Sequence, residues 1–175
     1  MIFFIIMEVY MSKYEIENVK LTAPKLNRKD LEYAMTYRYA CKKFDSTKKI
    51  SDEDWNAILA AARLAPTSLG FEPFELLVIQ NSEIREKMKA HGWGIHAGLE
   101  ASHLVVFLAR KKVDLDFDSP YVRYIQETVK QLPAEIDAAY REKYAQFTTS
   151  DYKTFESERA AFDWASKQTY IVMAN

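Results

Sequence analysis

A helix-rich fold around a small sheet is what this chain predicts. Apolar residues recur at helical spacing along most of its length, and only two segments make convincing strands. Four glycines and five prolines punctuate 175 residues, and 49% of the chain is hydrophobic against 28% charged, the proportions of one domain with a sizeable core.

The elements follow in order. Residues 12–29 are polar and irregular, and Pro24 argues against an early helix. Asp30 to Tyr39 reads as a helix, with Leu31, Ala34, Met35 and Arg38 three and four apart. Ser51 followed three residues later by Asp54 opens a second helix, whose apolar face is Trp55, Ile58, Leu59 and Ala62 and which stops at Pro66. Phe74 to Gln80 is a strand, Ser82 to Ala90 a short charged helix, and His91-Gly92-Trp93-Gly94 a loop. Leu104 to Ala109 is a second strand, apolar throughout and so expected to be buried on both faces. Ser119-Pro120 opens another helix with a cap and a proline at the first helical position. After Pro133 the pattern stays helical to about Gln146. A last helix is expected from near Asp151 to the end of the chain, carrying Phe155, Phe162, Trp164, Tyr170, Ile171 and Met173. Two strands alone make a marginal ribbon, and a helix ending on apolar residues without a cap reads as interrupted, so the domain is expected to be incomplete.

Composition narrows the function classes. A net charge of −1 gives the chain no electrostatic footprint for nucleic acid. The single cysteine, Cys41, leaves no intrachain disulfide or multi-thiolate metal site and suits a reducing compartment. His91, His96 and His103 lack zinc-ligand spacing with carboxylate or thiolate partners, so no metal is expected. Met1 to Met7 is apolar but far too short to span a bilayer, and it lacks the basic region and cleavage site of a signal peptide. Met11 is a plausible start, so residues 1–10 read as an extension. The expected organisation is residues 1–29 as extension and lead-in and 30–175 as the domain, located in the cytoplasm with no membrane partner.

Two segments carry the chemistry. Arg38-Tyr39-Ala40-Cys41-Lys42-Lys43-Phe44-Asp45 places two cations four residues apart where a helix ends, and these could converge on one anion or form a solvated basic cluster with Lys43, Lys48 and Lys49. Ala65-Pro66-Thr67-Ser68-Leu69-Gly70-Phe71-Glu72-Pro73-Phe74 leads from helix to strand and offers hydroxyls and backbone N–H groups at close range, or serves as a helix-stop loop. A third segment, Glu100-Ala101-Ser102-His103, precedes the second strand; His103 there reads as a structural residue rather than a base.

In this order the three segments resemble the FMN-dependent nitroreductase family, with the likeness running from about residue 30 to the end. The resemblance implies an α+β fold with a helix-flanked sheet whose C-terminal part is missing. It also implies an intertwined homodimer with the flavin at the subunit interface. By the same resemblance Arg38 grips the FMN phosphate, Lys42 lies by the pyrimidine edge of the ring, Tyr39 and Ala40 stand between them, and Pro66, Thr67, Ser68 and Gly70 reach the flavin of the partner subunit. Relatives carry His and Ser where Tyr39 and Ala40 stand, and Asn, Gln and Trp at the positions of Gly70, Glu72 and Phe74. Near Gly94 to His96 the family's amide residue is lacking. Gln168-Thr169-Tyr170-Ile171 resembles the start of its long central helix. FMN rather than FAD is expected, since no Gly-x-Gly-x-x-Gly follows a strand.

The activity so implied is an NAD(P)H oxidoreductase that reduces a nitroaromatic or quinone by ping-pong two-electron transfer. The flavin carries the chemistry, and no catalytic side chain is required. A second reading, a flavin-free truncated paralogue or gene fragment, draws on Ala40, Gly70, the Gly94 region and the abrupt end.

Overall fold

A computed structural model describes residues 27–175; the extension and lead-in expected before them lie outside the described residues up to residue 26. The chain divides into a short N-terminal unit ending at Ala40 and a larger one, Cys41–Asn175. In the first unit α1 (Arg28–Tyr37) begins two residues before the expected Asp30, because the Asn27 side chain accepts from the Lys29 N–H and caps it there. It ends earlier too. Arg38 turns extended at ψ 128, so Arg38 and Tyr39 follow the helix rather than complete it.

The larger unit opens with α2 (Asp52–Arg63). Ser51 caps it as its sequence suggests, accepting from the Asp54 N–H at 3.1 Å while its hydroxyl reaches the Asp54 carboxylate at 2.8 Å. A tight turn over Ser68–Gly70 leads to β1 (Phe74–Ile79). Then come α3 (Ser82–Met88), a second tight helical segment over Ile95–Glu100, and β2 (Leu104–Ala109). The strands pair antiparallel, from Phe74 opposite Ala109 to Ile79 opposite Leu104. The expectation that β2 is buried on both faces fails: its residues are half-buried, Leu108 is 42% exposed, and Leu77 of β1 is 44% exposed. A two-stranded ribbon has too little helix cover among the described residues to close both faces.

Beyond β2 run α4 (Lys112–Leu115), α5 (Pro120–Tyr124), α6 (Ala134–Gln146) and α7 (Glu158–Ala174). Both α5 and α6 end in wide turns, closed by Lys130 N–H to the Ile125 carbonyl and Tyr152 N–H to the Phe147 carbonyl. The last helix was expected near Asp151, yet Asp151 closes the wide turn after α6. Lys153 follows in the left-handed region at φ 51, and the helix restarts only where Ser157 caps it. Phe155 therefore packs from the connecting loop, its ring edge-on to Tyr144 at 6.0 Å.

Two apolar clusters hold this unit. Phe71, Val122, Ile125 and Tyr144 form the first; Leu115, Trp164 and Ala165 form the second, with Tyr121 and Phe155 touching both. Full burial of Phe71 alone is worth about 1.5–3 kcal/mol. That burial fixes one end of the turn over Ser68–Gly70 in the core. Of the bulky residues on α7, Trp164 and Val172 turn inward, while Phe162, Tyr170, Ile171 and Met173 stay exposed.

Candidate functional site

α2 ends at Arg63, Pro66 follows it, and the chain then takes an unusual path. Leu69 and Gly70 both have φ 60, and Glu72 has φ 49. The left-handed region disfavours any residue with a Cβ, so neighbouring groups must hold the chain there. Ser68 N–H donates to the Gln168 side-chain oxygen of α7 at 2.8 Å. The Leu69 carbonyl accepts from Lys130 Nζ at 2.7 Å and from the Tyr140 hydroxyl. The Tyr121 hydroxyl donates to the carbonyls of Phe71 and Glu72 at 3.0 and 2.6 Å, and its ring lies under the Arg110 guanidinium at 3.7 Å.

The loop is expected to offer hydroxyls and backbone N–H groups at close range. Three of those N–H groups already have partners in the chain: Thr67 N–H the Ala65 carbonyl, Gly70 N–H the Thr67 carbonyl and Ser68 N–H the Gln168 side chain of α7. What the loop keeps for a ligand is the half-buried hydroxyls of Thr67 and Ser68, beside an exposed Pro66.

Burial shapes the charges under the loop. It pushes the Glu72 carboxyl up, opposed by the nearby Arg63 and Lys130, and it pushes the Lys130 amine down, opposed by Glu72. Burial likewise pushes Tyr121 up to about 12. The loop thus rests on neutral phenols and one half-buried amine.

Lys42 is exposed and, like Lys43, makes no ion pair with any described residue. Arg38, Tyr39 and Ala40 are exposed residues of the N-terminal unit, and Arg38 likewise has no ion-pair partner among the described residues.

His103 stands just before β2 and finds its partners within the chain. Its ring stacks on Trp55 at 4.0 Å and 10°. Ser102 Oγ accepts from the Ile50 N–H at 2.8 Å, which leaves its own proton to donate to His103 Nδ1 at 3.0 Å. That bond favours the neutral ring, and burial followed by the charges of Arg85 and Lys49 lowers its pKa below the ordinary 6.5, with Asp52 opposing. The folded state therefore resists protonation more than the unfolded state. Stability is full above about 6.5 and falls as pH drops toward the lowered value. We expect His103→Gln to flatten that acid slope in urea melts at graded pH; an unchanged slope would take His103 out of the titration.

His96 is exposed on the rim of a cleft of about 350 Å³ beside α3, with Gln80, Arg85 and Lys89. Arg85 directs its guanidinium to the carbonyls of Ile79, Leu99, Ala101 and Ser102 and to the Gln80 side chain, so its donors are spent within the chain. Among the described residues no group of His, Cys, Asp and Glu could hold a metal, and no helix is long and apolar enough to cross a membrane.

Sequence reasoning missed Tyr121, Lys130 and Tyr140, and it noted Gln168 only as part of a helix. Each acts at a distance of 49 to 100 residues along the chain, where no local pattern marks it.

The model described as "Nitroreductase family" matches residues 35–175. "Putative NAD(P)H nitroreductase YfkO" of Bacillus subtilis is 43% identical over 143 residues, 81% of this chain and 65% of that protein. A Staphylococcus epidermidis relative of the same description, SERP2086, is 47% identical over 81% of this chain and 64% of its own length. The chain thus spans a little under two thirds of the curated relatives it matches. Among solved structures, the "putative nitroreductase ydfN" of Bacillus subtilis superposes with a TM-score of 0.66 at 15% identity, covering 85% of this chain and 68% of that one. A "putative nitroreductase in complex with FMN" from Exiguobacterium sibiricum gives 0.62 at 18% identity over 87% and 69%. These likenesses show the α+β, helix-flanked fold.

Proposed function

The chain belongs to the nitroreductase family, and from that membership we propose that it serves as an FMN-dependent NAD(P)H oxidoreductase acting as a homodimer in the cytoplasm. The observation that carries this reading is the loop after α2. It is held in a left-handed path by four distant side chains, and its hydroxyls stay free of those fastenings. Such a build suits a rigid wall for a flat ligand better than a simple helix stop.

FMN bound here would supply two-electron transfer from NAD(P)H to a nitroaromatic or quinone. The chain's own part is binding and charge. Arg38 would hold the phosphate, Thr67 and Ser68 would offer hydroxyls to the partner subunit's flavin, and Lys42 would place a cation by the ring edge where negative charge gathers on reduction. Purified protein should be yellow, and mass spectrometry of the released cofactor should show the mononucleotide. FAD, or a chain that takes up no flavin on reconstitution, would overturn the reading. One observation favours the flavin-free alternative: the Ser68 N–H already has a partner in Gln168. Colourless protein that ignores added FMN would support it.

Lys42→Ala is expected to lower the flavin reduction potential by about 30 mV, the two-electron equivalent of roughly 1.4 kcal/mol. Spectroelectrochemical titration reads this directly. An unchanged potential would move Lys42 away from the ring.

A further inference from the structure

Among the described residues three of the six in left-handed backbone fall together, with Leu69, Gly70 and Glu72 all between φ 49 and 60 within four residues. Two of these carry a Cβ, and such a path persists only where the surroundings over-determine it. The strongest hold falls on a single atom. The Leu69 carbonyl oxygen accepts from Lys130 Nζ at 2.7 Å and from the Tyr140 hydroxyl, and the two donors lie 3.4 Å apart.

The donors come from different elements. Lys130 follows the wide turn after α5, and Tyr140 sits on α6. Lys130 is also enclosed by rings, with its amine 4.7 Å from the centroids of both Phe71 and Tyr140. A Cβ on Gly70 would stand 3.3 Å from that amine, so the cation lies directly against the turn. Such a cation, half out of water and sharing an acceptor with a phenol, is a costly arrangement for a loop that merely ends a helix.

We propose that Lys130 and Tyr140 are positioning residues of the flavin-binding loop. By donating together to the Leu69 carbonyl they lock the turn over Ser68–Gly70, and with it the Thr67 and Ser68 hydroxyls. The proposal rests on the reading of that loop as a flavin contact. It also couples the stretch from Lys130 to Tyr140 to the site, so that whatever moves that stretch moves the loop.

Lys130→Met keeps an unbranched stem beside the Phe71 ring and removes the donor; Tyr140→Phe keeps the ring and removes the hydroxyl. Lys143→Met, an exposed change on the same helix α6, is the control. In the full chain, we expect Lys130→Met to raise the Kd for FMN about tenfold and Tyr140→Phe about threefold to tenfold, with Lys143→Met near wild type. Hydrogen exchange of the peptide covering residues 66–72, read on the flavin-free protein, should quicken in both site variants. A purely packing role would lower the melting temperature yet leave the Kd and the local exchange unchanged, and that result overturns the proposal. If wild-type protein takes up no FMN, the flavin reading falls and exchange decides the rest. Faster exchange in Lys130→Met upholds the hold on the loop, and unchanged exchange sinks it.

Discussion

Arg85→Ala is expected to cost the domain about 3 kcal/mol or more, because it strips the donors from several acceptors at once. Arg85 is 8% exposed, and its guanidinium bonds the Ile79 carbonyl at the end of β1, those of Leu99 and Ala101 around the tight helical segment, and that of Ser102 before β2. Gln80 takes the remaining direction. One planar fork thus ties the exit of one strand to the entry of the other. Lysine cannot replace it, since a single ammonium on a flexible stem lacks the fork that reaches acceptors on both sides. Urea unfolding monitored by Trp fluorescence should show a much lower midpoint for Arg85→Ala and a smaller but clear loss for Arg85→Lys. A shift under about 1 kcal/mol for the alanine variant would mean that water satisfies these carbonyls and that the network contributes little.

The same network shows why some features were legible in the sequence and others were not. Ser51 and the Ser119-Pro120 pair announce their helices because a cap acts on N–H groups two or three residues away, within reach of a local pattern. The restart of α7 at Ser157 was misplaced to Asp151. Nothing local told that Lys153 would adopt φ 51 and break the chain of helical residues. The six apolar residues of β2 suggested cover on both faces, but cover depends on how many elements pack there, which a strand's own residues do not encode. Arg85 sat in a helix that read only as short and charged, and its burial follows from carbonyls presented by three separate segments.

The candidate site divides along the same line. Pro66, Thr67, Ser68 and Gly70 stood out because proline, hydroxyl and glycine residues have local conformational meaning. The groups that fasten them did not stand out. Gln168 reaches Ser68 across 100 residues and Lys130 reaches Leu69 across 61. A tyrosine or lysine at such a distance has no neighbour in sequence to mark it, so tertiary contact alone reveals the role. The partners of the Thr67, Ser68 and Gly70 N–H groups were equally hidden, and they leave the hydroxyls as the less engaged groups of the loop.

Arg38→Ala should weaken FMN binding far more than Lys43→Ala does. Both residues are exposed and neither makes an ion pair with a described residue, so neither change should disturb the fold measurably. Any difference between them then reports on the ligand. Arg38 is assigned a charge-assisted contact to the phosphate, whose loss costs about 1.5–3 kcal/mol, equivalent to a rise in Kd of roughly ten- to 150-fold. Lys43 is assigned to solvent and should change the Kd less than about twofold, an effect that added salt removes. Fluorescence titration of the apo-proteins with FMN, and with riboflavin as a ligand lacking the phosphate, separates the cases. Riboflavin affinity should be nearly the same in wild type and Arg38→Ala, because the contact removed is one that riboflavin never makes. Equal FMN affinity in both variants would remove Arg38 from the site. A loss of FMN and riboflavin binding alike would mean that Arg38 supports the ring or the fold instead of the phosphate.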